Sequence, residues 1–326
     1  MTSRVSDFGE AGILSLIKKT IGSDPSLLLG IGDDAAAIAA TFQNPMVMAS
    51  DAMVEGTHFK REWSSGECTG RKLVAVNCSD MAAMGARPRY ALLTVGFPSS
   101  LEWSWVQGFC RGLAEASQST GMSIVGGDTV RSTGGIFLNL SVVGECVVER
   151  PLSRNGALPG DRVYVTGPLG LAAYGLQTVT KQREQIAHRP LSVSAFQLGK
   201  ARLDEGMALA TWGHCHAAMD LSDGLVQDLP RLAQSSGVQL RIKLSSIPVG
   251  EEAMSAHKEM AQGLAIHGGE DYELLFTTSE TPPFPAHCIG EVREGPWAVL
   301  WETDTQILDA PLGDWKSFSH YSDGKG

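Results

Sequence analysis

Several apolar runs of strand length in this chain lie next to short segments that combine glycine or serine with acidic residues. Five such segments begin at Gly30, Ser50, Gly126, Asp220 and Gly268. A turn that follows a strand of an α/β sheet lies at the edge where ligands gather, and grouped carboxylates are typical ligands of hard divalent cations. The pattern therefore favours an α/β protein whose acidic turns hold divalent metal.

The same runs alternate with segments of helical spacing in the first half of the chain. We predict strands at 46–49, 91–96, 123–125 and 136–148, and helices at 8–21, 70–84 and 103–120. The turn residues Pro151, Gly156, Pro159 and Gly160 mark residues 150–161 as a junction. Beyond it we predict a strand at 163–166 and, at about 180–194, an exposed connection or helix end that does not belong to the core. Two domains are therefore expected, residues 1–149 and 150–326.

The excess of acidic over basic residues limits which kinds of molecule the protein can bind. The formal net charge is -10, whereas proteins that bind nucleic acid cluster Lys and Arg against the phosphate backbone. We therefore expect no nucleic-acid partner. An anionic substrate would need bound metal to neutralise it.

The cysteines and the apolar runs bear on the compartment. The six cysteines form no C-x-x-C pair and no Cys/His spacing of a zinc site, so buried reduced thiols are expected. No apolar run approaches the roughly 20 residues that a membrane span needs, and no basic-then-apolar leader opens the sequence. We expect a cytoplasmic protein with no membrane partner.

The first acidic segment, GIGDDAA from Gly30, has three interpretations. Its glycines place a flexible backbone beside the hard oxygen ligands Asp33 and Asp34, as a metal site requires. The string also matches the dinucleotide fingerprint G-x-G-x-x-A, which we reject because both acids would lie where bare amides should meet a pyrophosphate. For this segment alone, an Asp-Gly turn plus a helix N-cap is about as good as the metal site.

Asp80 lies in an otherwise apolar stretch of helical spacing. An unpaired carboxylate there would be costly, so Asp80 needs either a basic partner or a metal. Lys72 lies two helical turns earlier, and this stretch alone slightly favours the ion pair. The Gly126-Gly127-Asp128 segment is also ambiguous, because such turns are common in ordinary loops.

Two segments of the second half are more informative. Asp220 and Ser222 alternate with apolar neighbours, as at a strand end that projects polar groups to one face. With Asp223 they suit Mg²⁺ and phosphate oxygens, although Asp223 could also cap a helix. In GGEDYE from Gly268, three acids repel one another unless a cation binds; a solvated hairpin is the alternative.

Sequence signatures of two common classes of phosphoryl-transfer enzyme are absent. The chain has no G-x-x-x-x-G-K-[ST] loop and no protein-kinase signature set. If it transfers a phosphoryl group, several metals must bear the electrostatic load without a Walker lysine.

Together these segments resemble the thiamine-monophosphate kinases, in the superfamily of aminoimidazole ribonucleotide synthetase and selenophosphate synthetase. The matching stretches are GIGDDAA from Gly30, DAMVEGTHF from Asp51, AVNCSDMAAMGARP from Ala75, GGDT from Gly126, SRNGALPGDRVYVTG from Ser153, MDLSDGL from Met219, GGEDYELLFT from Gly268 and DWKSFSHY from Asp314. Their order and spacing cover nearly the whole chain. One departure is Ala49-Ser50, where the family often has Ser-Thr.

The resemblance implies ATP-dependent phosphorylation of thiamine monophosphate with several Mg²⁺ ions. The implied metal ligands are Asp34, Ser50, Asp51, Asp80, Asp128, Asp220 and Asp223. The implied nucleotide contacts are Gly127, Asp128, Arg154 and Ser222. The implied contacts to thiamine monophosphate are His58, Glu270 and Phe318. No general base is expected, because the acceptor phosphate is already ionised near neutral pH.

The resemblance also implies a two-domain α/β (α+β) fold of the aminoimidazole ribonucleotide synthetase type. First-domain strands of two subunits would close a barrel at a homodimer interface. Two alternatives remain: another synthetase of the superfamily, and a catalytically silent nucleotide-binding regulator. The six matching acids argue against the regulator, and selenide chemistry would normally want a Cys ahead of Cys68, the first cysteine here.

Overall fold

The computed structural model describes residues 3–22, 24–31, 35–39, 41–181, 190–256 and 258–311. It divides into two compact units, Met1–Met81 with Arg87–Glu145, and Ala82–Ala86 with Cys146–Gly326. Both units combine helices with a sheet, so the expected mixed α/β class is confirmed. The domain boundary between residues 149 and 150 stays a prediction.

The first half of the chain forms a four-stranded sheet and three helices in the described residues. Its elements are α1 (Val5–Ile21), β1 (Leu27–Leu29), β2 (Ala37–Ile38), β3 (Met46–Val54), α2 (Gly66–Ala83), β4 (Ala86–Phe97), α3 (Trp103–Thr120), β5 (Ser123–Arg131) and β6 (Phe137–Cys146). The sheet order is β3-β6-β4-β5, and β1 pairs separately with β2. The predicted helices and strands of this half are confirmed.

One face of this sheet is buried and the other is not. Leu138, Leu140 and Val142 of β6 are buried, and Gly144 on the same strand lies against Met81 of α2. Since successive side chains of a strand point to opposite faces, the alternate residues of β6 face away from α2. Among them, Phe137 is 37% exposed.

Helices α2 and α3 cross with their backbones nearly in contact. A Cβ atom at Gly70 would lie 2.3 Å from the carbonyl oxygen of Phe109, and one at Gly112 would lie 1.9 Å from that of Glu67. Both distances are shorter than real atoms approach, so a larger residue at either position would push the helices apart. The glycines therefore fix the position of the helix that carries Asp80.

The second half of the chain forms a seven-stranded sheet of order β13-β12-β9-β11-β7-β10-β8. Its elements are β7 (Arg162–Val165), α4 (Leu171–Lys181), α5 (Leu191–Leu198), α6 (Leu203–Trp212), β8 (Ala217–Asp220), α7 (Leu225–Ser236), β9 (Gln239–Lys243), α8 (Glu251–Ala256), α9 (Lys258–His267), β10 (Leu274–Thr278), β11 (His287–Arg293), β12 (Ala298–Glu302) and β13 (Ile307–Leu308). In the segment predicted as an exposed connection or helix end at 180–194, Thr180 and Lys181 are the exposed end of α4, and residues 182–189 lie outside the described ranges. The prediction is wrong at its far end, because Ser192 and Val193 of α5 are buried.

This second sheet buries both faces. Val165 and Leu275 belong to one apolar cluster, whereas their neighbours Tyr164 and Phe276 belong to another, as the alternation of strand side chains requires. The first cluster includes Leu225, Leu229 and Leu232 of α7, which share one helix face at spacings of four and three. Strand β10 pairs with β8 and places Leu274 opposite Asp220.

The cysteines are all free thiols. Cys68, Cys78, Cys110 and Cys146 are buried as expected, but Cys288 is exposed. Burial raises the pKa of the Cys78 thiol to about 12. In the described part of the chain, no helix has the length and apolar character needed to cross a membrane.

Candidate functional site

A hollow of about 1030 Å³ lies on the first unit. Its lining includes Gly30 and Ala35, which belong to the first acidic segment and lie on either side of its two acids, and also Ser50, Gly127 and Asp128. Asp34 lies outside the described residues. Three segments selected from the sequence thus meet at one place on this unit.

The residues after the first acidic segment are a strand. Ala37–Ile38 forms β2 and pairs with β1. A dinucleotide fingerprint and the N-cap alternative both require a helix here. The N-cap interpretation is therefore wrong, and the rejection of the dinucleotide fingerprint is confirmed.

Gly127 and Asp128 lie inside strand β5 and not in the predicted turn. They pair with Leu93 and Thr94 of β4 in parallel register, so the ordinary-loop interpretation is wrong. Gly127 has φ 147°, and a Cβ atom there would lie 1.7 Å from the carbonyl oxygen of Leu93. Only glycine fits so close to β4. The exposed Asp128 carboxylate accepts a hydrogen bond of 2.8 Å from the Thr129 N–H.

Ser50 and Asp51 are neighbours on β3, so their side chains point to opposite faces of the sheet. The Ser50 hydroxyl lies 2.9 Å from that of Ser141 and accepts a hydrogen bond of 3.0 Å from the Asn139 amide. The Asp51 backbone N–H donates to Asn77 Oδ1 of α2 over 2.9 Å. The Ser50 hydroxyl and the Asp51 carboxylate are therefore not side by side.

Asp80 lies near the end of α2, between Ser79 and Met81, which are fully buried. Asp80 itself is half-buried. Lys72 lies on the same helix and is 3% exposed. The ion pair and the metal ligand both stay predictions for Asp80.

His58 follows β3 in a turn that holds it by two atoms. Its backbone N–H donates to the Val54 carbonyl oxygen over 3.0 Å, and its Nδ1 accepts from the Val54 N–H over 3.0 Å. The next residue, Phe59, is buried and stacks near Trp105, with ring centroids 6.4 Å apart. The half-buried His58 therefore directly precedes a buried aromatic residue that anchors the turn.

In the second unit, the segments from Asp220 and from Gly268 are joined through their backbones. The Leu221 N–H donates to the Glu273 carbonyl oxygen over 2.8 Å, and the Tyr272 N–H donates to that of Leu221 over 3.0 Å. The Glu270 N–H donates to the Ser222 carbonyl oxygen over 2.8 Å. These bonds bring together the two acidic segments that the sequence singled out in this half.

This junction contains strained backbone. Glu270 and Tyr272 have φ 67° and φ 53°, in the left-handed region that residues other than glycine rarely adopt. Such conformations cost about 1–3 kcal/mol each and concentrate at functional sites. The structure therefore marks Glu270 as a residue placed against its local preference.

The other two acids of GGEDYE serve the fold. Asp271 accepts hydrogen bonds from the N–H groups of Gly170 (2.6 Å) and Ala172 (3.1 Å) at the start of α4. Burial raises the pKa of the Asp271 carboxyl to about 7. The cation expected near these acids is supplied for Glu273 by Arg202, whose Nε lies 2.7 Å and Nη2 2.5 Å from the carboxylate oxygens.

The alternative of a solvated hairpin is therefore wrong. The Glu273 carboxylate also accepts a hydrogen bond from the Thr166 hydroxyl over 2.5 Å, and Glu273 is 7% exposed. No local pattern pointed to Arg202, because it precedes α6 and is distant in the chain from Glu273.

Asp223 is bound by Arg231. Arg231 Nη1 lies 2.6 Å from Asp223 Oδ2 and 2.6 Å from Asp228 Oδ1, and the Asp223 N–H donates to Asp228 Oδ2 over 3.0 Å. The N-cap of α7 is Gly224, so the alternative that Asp223 caps this helix is wrong. Sequence reasoning missed Arg231, although its spacing of three from Asp228 on a helix was a usable signal.

Arg154 and Phe318 complete the predicted set. Arg154 lies in an exposed segment, where its carbonyl oxygen accepts a hydrogen bond of 2.9 Å from the Ser236 hydroxyl. Phe318 lies outside the described residues. Within the described ranges, no three His, Cys, Asp or Glu side chains form a group arranged to hold a metal ion.

Comparison with known families identifies both halves of the chain. Residues 32–146 match the model described as AIR synthase related protein, N-terminal domain, and residues 159–296 match the corresponding C-terminal domain. These models support the two-domain fold of that type.

Individual relatives match over most of their length. The thiamine-monophosphate kinase of Aquifex aeolicus (strain VF5) is 34% identical over 301 residues, which cover 90% of this chain and 94% of the relative. That of Escherichia coli (strain K12) is 33% identical over 310 residues, covering 90% and 92%. The solved structure of AaThiL complexed with AMPPCP and TMP has a TM-score of 0.76 and 32% identity, and covers 98% of this chain and 100% of that chain. This chain therefore belongs to the thiamine-monophosphate kinase family, within the AIR synthase related proteins.

Proposed function

We propose that this protein transfers the γ-phosphoryl group of ATP to thiamine monophosphate and so forms thiamine diphosphate and ADP. The observation that carries the proposal is the match over 98% of the chain to AaThiL complexed with AMPPCP and TMP. AMPPCP is an ATP analogue, and TMP is thiamine monophosphate, the proposed phosphate acceptor. The curated relatives named thiamine-monophosphate kinase agree with this activity.

The reaction needs positioning more than proton transfer. An oxygen of the acceptor phosphate forms a bond to the γ-phosphorus, while the bond from that phosphorus to the β–γ bridging oxygen breaks. The acceptor phosphate is already ionised near neutral pH, so no general base is required. The protein must hold two anions in line against their mutual repulsion.

Mg²⁺ is the proposed cofactor. Bound Mg²⁺ would offset phosphate charge and orient the reacting groups. The chemistry of the donor set fits, because carboxylate oxygens are ligands that Mg²⁺ prefers, and acidic residues outnumber basic ones in the chain, which has a net charge of -10. The residues proposed to hold Mg²⁺ are Asp34, Ser50, Asp51, Asp80, Asp128, Asp220 and Asp223.

The proposed nucleotide contacts are Gly127, Asp128, Arg154 and Ser222. The close approach of Gly127 to β4 supports a backbone contact, and a guanidinium such as that of Arg154 suits bidentate binding of phosphate. The proposed contacts to thiamine monophosphate are His58, Glu270 and Phe318. The left-handed backbone of Glu270 and the anchored turn of His58 support their assignment.

We also propose a cytoplasmic homodimer in which first-domain strands of two subunits close a barrel. Apolar side chains on the sheet support this, since Met48 is 70%, Leu92 47% and Val130 47% exposed. Strand β3 lies at an edge of the sheet. Exposed apolar patches and open strand edges favour association.

The decisive experiment measures products. Purified protein is incubated with ATP and Mg²⁺, with and without thiamine monophosphate, and ADP and thiamine diphosphate are quantified by chromatography. We expect equal amounts of both products, formed only with thiamine monophosphate, and none with unphosphorylated thiamine. ADP formation at the same rate with and without thiamine monophosphate would indicate another synthetase, and no ADP formation would indicate a silent regulator.

A further inference from the structure

Arg231 connects the two acids that follow β8 in the second unit. A single nitrogen, Nη1, lies 2.6 Å from both Asp223 Oδ2 and Asp228 Oδ1. Within the part of the chain that the structure describes, Arg231 is the basic partner of both acids. One guanidinium group therefore forms ion pairs with two carboxylates.

We propose that Arg231 is the resident counter-ion of Asp223, which it holds while no divalent cation is bound and releases when one binds. The proposal rests on the proposed Mg²⁺ requirement and assigns a role to a residue outside the predicted ligand set. It makes Arg231 a positioning residue that competes with metal.

The two ion pairs of Arg231, with Asp223 and with Asp228, differ in solvent exposure. The Asp228 side chain is 0% exposed, whereas the Asp223 side chain is 25% and the Arg231 side chain 42% exposed. A buried carboxylate requires a permanent partner, because an uncompensated buried charge is strongly destabilising. An exposed ion pair contributes little and exchanges with solvent and ions. The Arg231–Asp223 ion pair is therefore the one of the two that can break when a cation binds.

The charges give the direction of the effect. Asp220, Asp223 and Asp228 lie within nine residues, and like charges at such spacing repel. In the metal-free protein, Arg231 supplies the positive charge at Asp223. When Mg²⁺ takes the Asp223 carboxylate, Arg231 keeps its contact with Asp228. Breaking the first contact costs free energy, so Arg231 weakens Mg²⁺ binding.

Calorimetric titration of the full chain with Mg²⁺ alone tests this. We expect Arg231→Gln to bind Mg²⁺ roughly two- to fivefold more tightly than wild type, which is the ratio that an ion pair of such exposure can supply. Arg293→Gln is the matched control, because it also removes one arginine charge from the second unit, and Arg293 pairs with Glu291. Its Mg²⁺ affinity should equal that of wild type.

Thermal melting gives a second readout that does not depend on activity. In a chelator, Arg231→Gln should melt below wild type, and added Mg²⁺ should raise its melting temperature more than it raises that of wild type. If Arg231→Gln does not fold, Arg231→Lys carries the comparison, since a lysine spans two carboxylates less well; tighter Mg²⁺ binding than wild type is again expected.

Unchanged or weaker Mg²⁺ binding in the folded variant overturns the proposal, and so does an equal gain in Arg293→Gln. Formation of thiamine diphosphate by wild type together with either result would leave the proposed function standing. If Arg231→Gln binds Mg²⁺ more tightly but the wild-type protein makes no thiamine diphosphate, the counter-ion role of Arg231 is supported and the proposed function is refuted.

Discussion

The backbone N–H of Glu270 donates a hydrogen bond of 2.8 Å to the carbonyl oxygen of Ser222. This bond joins two acidic segments that are far apart in the sequence, and it holds Glu270 at φ 67°. Gly269 permits the approach, since a Cβ atom there would lie 2.4 Å from the same oxygen. The position of the Glu270 side chain therefore depends on an interaction between main chains.

Gly269→Ala should separate the two segments and misplace Glu270 and Ser222. We expect kcat/KM for thiamine monophosphate to fall on the order of a hundredfold, the effect of a displacement of about 1 Å at a reacting site. Gly134→Ala is the control, because nothing lies within 4 Å of a Cβ atom there. Steady-state kinetics with circular dichroism would decide, and a folded Gly269→Ala with wild-type kcat/KM would contradict the expectation.

Asp51→Asn and Asp220→Asn should each lower kcat far more than stability, because both acids are proposed metal ligands. We expect losses of about ten- to a hundredfold at saturating Mg²⁺, as for other changes around metal sites. Asp204→Asn, in the first turn of α6, is an exposed control. Rates and melting temperatures are compared on one preparation, and near-normal turnover in both variants would refute the ligand assignment.

Arg202→Met should destabilise the second unit by roughly 3–5 kcal/mol, because it leaves the Glu273 carboxylate buried without its cation. The Arg202 and Glu273 side chains are 16% and 9% exposed. Arg241→Met breaks a pair whose side chains are both 31% exposed, so its cost should be about 0–1 kcal/mol. Urea unfolding measures both free energies, and equal losses would show that burial of the Arg202 pair is unimportant.

Asp271 should give the free energy of unfolding a defined pH dependence. Burial raises the pKa of its carboxyl from 3.8 to about 7, so the folded protein binds this proton more tightly than the unfolded chain. The resulting stability is fully present below pH 3.8 and is lost as the pH rises through about 7. Asp271→Asn cannot titrate and should flatten the decline.

Urea unfolding across this pH window measures the effect. Asp309→Asn, at an exposed position, should keep the wild-type slope. An Asp271→Asn slope equal to that of wild type would show that Asp271 is ionised in the folded protein throughout the window.

Met48→Asp should convert the proposed homodimer into a monomer. Met48 is 70% exposed on β3, and a carboxylate at the centre of an apolar interface is costly. Leu158→Asp, at a position 52% exposed in the second unit, should leave the dimer intact. Light scattering at micromolar concentration distinguishes dimer from monomer in each variant. A wild-type protein that is active but monomeric would contradict the proposed barrel interface and leave the proposed kinase activity standing.

Local pattern in the sequence predicted most elements of the first half, because apolar periodicity and glycine placement act over a few residues. It failed where distant segments decide the outcome. Gly127 lies in a strand because β4 pairs with it, and Glu273 is neutralised by Arg202 from another element. Neither partner is visible in the local sequence. The same limit explains why the three acids of GGEDYE looked equivalent, whereas Asp271 and Glu273 serve the fold.

The joining of the two acidic segments by main-chain bonds has a consequence for engineering. Side chains at Ser222 and Glu270 can be exchanged without rebuilding the turns that present them, so the proposed nucleotide contact at Ser222 and the proposed acceptor contact at Glu270 can each be varied on an unchanged backbone. At Glu270 the tolerated set is narrow, because asparagine, aspartate and glycine enter the left-handed region most readily. A library aimed at new phosphate acceptors would begin with these three residues at position 270, whereas variation at 222 would test the proposed nucleotide contact.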